Sequence, residues 1–265
     1  MARRLIIIAF IFIVPALLSG RIIGDNWSSE LFDGFNIHYS PLDKQNTSDY
    51  LNLIKTGKET VESFFKGSYK NEFDVFIHPN RQSLDSTWQK DWSMPDFKSE
   101  CWMVASGVAA RMDMISPKLW KSEACEHDYS NTLKTQQLIT HELVHVYHGQ
   151  FNPSPDFSNV TGIDWFVEGL ATYASGQCDA ARIAEVIKAI EEDKVPQSLD
   201  QFWTGKLKYG LSGSMVMFMD KKYGRTKLIE LLRMDNLPEL LLSLNTNEIE
   251  LIDNWRSELI NNKTN

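Results

Sequence analysis

The stretch Leu138–Gly149, LITHELVHVYHG, holds three of the chain's six histidines: His141, His145 and His148. On a helix each residue turns by about 100°, so with His141 at the origin His145 falls near about 40° and His148 near about −20°. By the same count Ile139, Leu143 and Val146 lie roughly 140° to 200° round, on the opposite side. The spacing predicts a helix with an apolar back that packs into a core and a front of imidazoles. The rest of the fold is read outward from this element.

Two histidines at i and i+4 can each bring one nitrogen to a tetrahedral metal, and zinc favours such ligands. Glu142 is turned about 100° from His141, beside such an ion rather than on it, where it can take a proton from metal-bound water. His141-Glu142-Leu143-Val144-His145 is the metalloprotease arrangement. A catalytic zinc needs a third protein ligand and an open position. His148 lies two turns from His141, about 10 Å along the axis, and cannot converge on the same ion. It is expected to line a cleft or to lie at the surface. Glu168, in WFVEGLATYAS (Trp165–Ser175), is the better third ligand. It belongs to a second helix after a loop containing Pro153, Pro155 and Gly162, long enough to return the chain over the first helix. Its neighbours Trp165, Phe166 and Leu170 mark a buried segment, and Gly169 and Ala171 are small enough for close helix approach.

The chain has 265 residues, 43% hydrophobic and 23% charged, which suits a globular protein with a substantial core. A net charge of −8 with no Lys/Arg cluster argues against nucleic acid and anionic membrane as partners. Residues 1–20, MARRLIIIAFIFIVPALLSG, have a basic start, an uncharged run from Leu5 to Leu18 and small residues at Ser19 and Gly20. That is the layout of a signal peptide. The run is shorter than the roughly 20 residues of a comfortable span, and an uncleaved N-terminal anchor is the alternative. Both place the remainder, 21–265, outside the cytoplasm. Cutting after Gly20 removes two arginines and no acids, leaving −10. Among Cys101, Cys125 and Cys178, a disulfide between the first two would close a modest loop, although pairing is not legible from sequence. No Cys-x-x-Cys exists for a thiolate metal site. Asn26, Asn46, Asn159 and Asn262 begin glycosylation sequons.

No repeat or low-complexity linker interrupts the chain. In 21–130, strands are expected at FNIHY (Phe35–Tyr39) and FDVFI (Phe73–Ile77), with a helix over Thr47–Phe65 between them. WMVASGVAARMDMIS reads as an extended segment or hairpin ending at Pro117. In 131–265 the patterns are helical: Asn131–Gly149, Trp165–Ser175, Ala180–Lys194, Leu211–Tyr223, Arg225–Met234 and Asn247–Asn261. Strands first and helices afterward imply an α+β fold.

HELVH followed by WFVEGLATY resembles the gluzincin metallopeptidases, specifically the peptidase-MA-like domain. That family's pattern is His-Glu-x-x-His followed by Trp-x-x-Glu-Gly-Leu-Ala. YGLSGSMVMFMDKKYG (Tyr209–Gly224) is similar to the helix that follows the zinc ligands there, and the resemblance covers roughly Gln136 to Leu232. It implies a single zincin-like α+β domain over 21–265. It further implies Zn2+ held by His141, His145 and Glu168, Glu142 as general base and Tyr209 as the hydroxyl that steadies the oxyanion. The substrate would be a peptide or protein. In one respect the chain departs from thermolysin-type relatives: the acid they carry four residues after the glutamate ligand, to orient a histidine, is here Thr172. Asp164 is a possible substitute. Val104–Ala110, VASGVAA, is expected to be either a cleft edge for an extended peptide or a buried sheet edge. Two other readings are carried: a non-catalytic extracellular binding module with a zincin-like fold, and a zinc hydrolase of a non-peptide amide.

Overall fold

The computed structural model describes residues 27–263. The expected signal peptide or anchor, 1–20, lies outside the described residues. Among the described residues no helix is long and apolar enough to cross a membrane.

The first half builds a five-stranded sheet from β1 (Ser28–Phe32), β2 (Phe35–Tyr39), β3 (Phe73–His78), β4 (Ala105–Val108) and β5 (Arg111–Ile115), in the spatial order β1-β2-β3-β5-β4. β2, β3 and β5 run parallel, while the two outer strands are antiparallel to their neighbours. The parallel steps use helical crossovers, α1 (Thr47–Phe65) between β2 and β3 and α2 (Arg81–Asp91) after β3. Alternation decides the faces. Phe35, Ile37, Val75, Ile77, Met112 and Met114 join one core with α1 and the helical half. The other face carries His38, Asp74, His78, Arg111 and Asp113. These stay buried or half-buried because they satisfy one another: His78 Nε2 is 2.9 Å from Asp113, and Arg111 Nε is 2.5 Å from the same carboxylate.

The chain then turns through α3 (Trp120–Glu123) into the helical half. This comprises α4 (Thr132–Gly149), α5 (Asp164–Ala174), α6 (Ala180–Glu191), α7 (Lys208–Tyr223), α8 (Arg225–Glu230), α9 (Leu237–Ser243) and α10 (Glu248–Lys263). The α+β reading holds, with the strands confined to the first half. α4 starts where Asn131 caps it, its side chain accepting from Lys134 N at 3.1 Å. α6 is shorter than its apolar period predicts, because Asp193 adopts a left-handed φ of 52° and its N–H turns back to Ile190 O. α2 is missing from the periodicity because only Leu84 and Trp88 are buried. They seal a second, smaller cluster with Val104, Ile115 and Trp120.

Two glycines set how closely these layers meet. A Cβ on Gly107 of β4 would lie 2.1 Å from the carbonyl oxygen of Glu142, so the edge strand presses directly against α4. A Cβ on Gly169 of α5 would lie 2.4 Å from Ser212 O. The small residue beside Glu168 therefore serves the packing of α5 on α7.

Candidate metal centre

α4 is buried from Ile139 to Gly149, with its apolar side against α1 and its histidine stripe toward α5 and a cleft. α5 runs back along it. Glu168 faces His141 and His145, and just past the end of α5 Gly176 O accepts from Gln137 Nε2 at 2.7 Å. The chain returns as the loop length suggested.

Three side chains converge. His141 Nε2 and His145 Nε2 are 3.1 Å apart, and Glu168 Oε2 lies 3.3 Å from the first and 3.6 Å from the second. One ligand atom from each fits within 4.8 Å of the others, and this is the one such group of three or more among the described residues. A tetrahedral zinc with ligands at about 2.0–2.1 Å has ligand–ligand edges of roughly 3.3 Å, close to those separations. Both imidazoles turn Nε2 inward, an arrangement that brings two like atoms together unless a cation or shared protons lie between them. The donor set therefore fits a divalent metal.

The electrostatics agree. Burial pushes the Glu168 carboxyl up, but the two imidazoles outweigh it and hold the group well below the usual carboxylate range. Burial pulls the His145 imidazolium down, and the Glu168 carboxylate more than offsets that, leaving it raised. Glu142 is 7% exposed. Burial raises it above an ordinary glutamate, against the opposing pull of His141 and His145, while the Gly107 backbone offers it a hydrogen bond. A carboxylate with a raised pKa in this position is a competent proton acceptor. Tyr209 sits on the first turn of α7 with its ring 6.4 Å from the His141 ring. Burial, with Glu168 and Glu142 nearby, raises its hydroxyl well above the ordinary phenol value, so it remains a donor.

Two expectations are corrected. His148 neither lines the cleft nor reaches the surface: it is fully buried, with its ring 5.0 Å from Phe157 and 5.9 Å from Phe166. The loop after α4 folds back over that turn, a tertiary event the helical wheel cannot register. Burial pushes its imidazole down to about 3, so it is neutral. Asp164 is exposed at the start of α5 and makes no hydrogen bond to an imidazole among the described residues. The Nδ1 atoms of His141 and His145, and Thr172 Oγ1, are buried without partners among the described residues.

The cleft has a volume of about 920 Å³. α4 forms its floor, β4 one wall, and α5, α6 and the start of α7 the other. Val104–Ala110 contributes β4, which is an edge strand of the sheet and lines the cleft from Val104 to Val108. Cys101 and Cys125 are joined, and Cys178 is a free, partly buried thiol. The disulfide ties together two stretches of wall. Arg81 braces the same loop, donating to the carbonyls of Glu100, Cys101, Met103 and Glu123. Several wall residues were beyond sequence reasoning: Trp102, Phe157, Arg182, Trp203 and Lys208 come from loops and separate helices. No motif or period links them.

No family model matches the sequence, and no curated protein matches it. Among solved structures, that of native yeast LTA4 hydrolase aligns with a TM-score of 0.48 and 14% identity over 88% of this chain and 37% of that one. Yeast LTA4 hydrolase in complex with bestatin aligns with a TM-score of 0.44 and 12% identity over 90% and 37%. The chain thus spans little more than a third of the length of either structure.

Proposed function

We propose that this chain is an extracytoplasmic zinc-dependent peptidase of the gluzincin type. The observation that carries the reading is the convergence of His141 Nε2, His145 Nε2 and Glu168 Oε2 to within 3.1–3.6 Å of one another at the floor of an open cleft. In this reading those three residues hold Zn2+, which when bound supplies Lewis acidity and an activated water. Glu142, on the same helix and desolvated, accepts the proton of the attacking water and delivers it to the leaving amine. Tyr209, protonated and beside His141, donates to the developing oxyanion. β4, an edge strand that lines the cleft, is placed to pair with an extended backbone, and Gly107 leaves no side chain between it and α4. The N-terminal apolar segment, read as a signal peptide or anchor, supports the extracytoplasmic placement.

The test is metal analysis of the purified mature chain together with hydrolysis of a peptide library. The expected result is one zinc per chain, lost in His141→Ala and Glu168→Ala. Glu142→Gln should keep the zinc and lose cleavage by a factor on the order of 10³. A wild-type chain that holds zinc and cleaves no peptide would favour the binding-module reading.

A further inference from the structure

The ammonium of Lys208 stands at the cleft wall among three aromatic faces. Its Nζ lies 4.6 Å from the ring centroid of Trp203, 4.9 Å from Trp102 and 5.3 Å from Tyr209. The rings arrive from unrelated parts of the chain. Trp102 belongs to the disulfide loop on one wall, where His127 Nε2 holds its carbonyl at 2.9 Å. Trp203 follows a tight turn on the other wall and meets Tyr209 edge-on at 4.9 Å. Lys208 makes no ion pair among the described residues, although eight carboxylates and only three Lys or Arg side chains line the cleft. Its charge is held by ring faces instead.

We propose that Trp102, Trp203 and Tyr209 form a cation-binding subsite that accepts an ammonium group of the substrate, with the Lys208 ammonium as its resting occupant. Two independent features point to a cationic ligand. Faces of several aromatic rings within about 6 Å of one point attract a cation through their quadrupoles, and desolvated cages of this kind recognise alkylated ammonium groups. The acidic excess of the whole cleft raises the local concentration of cations and disfavours anionic ligands. A cage filled by a neighbouring lysine is therefore preorganised for a ligand of the same chemistry, which enters by displacing the side chain into solvent. Because Tyr209 is both a wall of the cage and a neighbour of His141, a captured ammonium would be held next to the convergent His141, His145 and Glu168. The substrate half of this inference, a lysine-like or methylated-lysine side chain beside the scissile bond, rests on the peptidase reading. The cage itself does not.

The decisive probe is tetramethylammonium, titrated calorimetrically into the full mature chain at constant ionic strength, with neopentyl alcohol as the uncharged isostere. Lys208→Met removes the competing ammonium, leaving the Arg182 guanidinium 5.2 Å from the Tyr209 ring centroid, and should bind tetramethylammonium roughly tenfold more tightly than wild type. Trp102→Leu in the Lys208→Met background should abolish the gain, and Tyr209→Phe, which keeps the ring, should retain it. Trp203→Leu provides a second removal from the opposite wall, and circular dichroism identifies any variant that fails to fold. Equal affinity in wild type and Lys208→Met, or equal binding of neopentyl alcohol, overturns the cage. A kinetic arm compares peptides differing only in lysine against norleucine. Preference for lysine that disappears in Trp102→Leu supports the substrate half, and equal kcat/KM for the two peptides overturns it. If neither peptide is cleaved, the peptidase reading fails while the tetramethylammonium titration still decides the cage.

Discussion

Glu168 Oε2 lies 3.3 Å from His141 Nε2, joining two helices that are separated in sequence by a proline-containing loop. The contact makes the site a device for holding α5 against α4. A metal bound there stabilises the fold by mass action, about 2.7 kcal/mol at a free concentration one hundred times Kd. For a domain of this size that corresponds to a Tm rise of roughly 5–10 °C. The rise should vanish in Glu168→Gln, as read by differential scanning fluorimetry with and without a chelator. An unchanged Tm in the wild-type chain on adding zinc after chelation would remove the site from the argument.

Tyr209 stands at the start of α7 with its ring 6.4 Å from that of His141, and in the proposed mechanism its hydroxyl donates to the oxyanion. Tyr209→Phe keeps the ring packing with His141 and Trp203 and loses only the hydroxyl. The expected outcome is a fall in kcat of about 10²–10³-fold with little change in KM and full zinc content. A variant with wild-type kcat would reduce Tyr209 to a packing residue.

Fully buried His148 makes stability depend on pH. Its folded pKa, about 3, lies below the ordinary histidine value, so the unfolded chain binds the proton first. The stability it contributes is complete above about pH 6.5 and is lost as pH falls from there toward about 3, by up to about 1.4 kcal/mol per pH unit. His148→Phe, placed among Phe157 and Phe166, should flatten that part of the profile. Urea midpoints at pH 4.5 and 7.5 for both chains supply the comparison, and an identical pH difference in the two contradicts the assignment.

The edge strand can be dislodged by one methyl group. Gly107→Ala would place a carbon 2.1 Å from the Glu142 carbonyl oxygen, a backbone atom that cannot rotate away. A cost of about 1–3 kcal/mol follows from overpacking, with a Tm drop of a few degrees. Because Gly107 lies in the part of β4 that lines the cleft and its backbone hydrogen-bonds Glu142, peptide affinity should fall further than stability does. Wild-type stability in the alanine variant would show that β4 does not press on α4.

The Cys101–Cys125 link closes a loop with a sequence separation of 24 and is expected to contribute about 3 kcal/mol through the unfolded state. Arg81→Ala attacks the same wall from inside by leaving several carbonyls without their charged donor. Each change should lower the urea midpoint. The double cysteine-to-serine variant should also weaken tetramethylammonium binding in the Lys208→Met background, since Trp102 rides on that loop. A loss of stability with intact cation binding would separate the disulfide from the cage.

How much was legible follows from the range over which each signal acts. The histidine stripe, the apolar back of α4, the strands at Phe35–Tyr39 and Phe73–His78, and α1 are local patterns with periods of 3.6 or 2. Side-chain direction along one element is set by backbone geometry alone, so these could be read directly. Bringing Glu168 to the two imidazoles needed only one further inference, a loop long enough to reverse direction. β1 and α2 escaped because they bury little apolar surface of their own and depend on the neighbours they pair with or cover.

The sequence by itself determined an α+β chain with a helix presenting His141, Glu142 and His145, because periodicity and spacing are properties of a single segment. Only the tertiary structure decided that His148 is sealed under Phe157 and Phe166, and that Gly169 serves α7. The same is true of the ring of Trp102, Trp203 and Tyr209 around Lys208. Burial and convergence depend on which distant surfaces exclude water from one another, and no local pattern of residues encodes that.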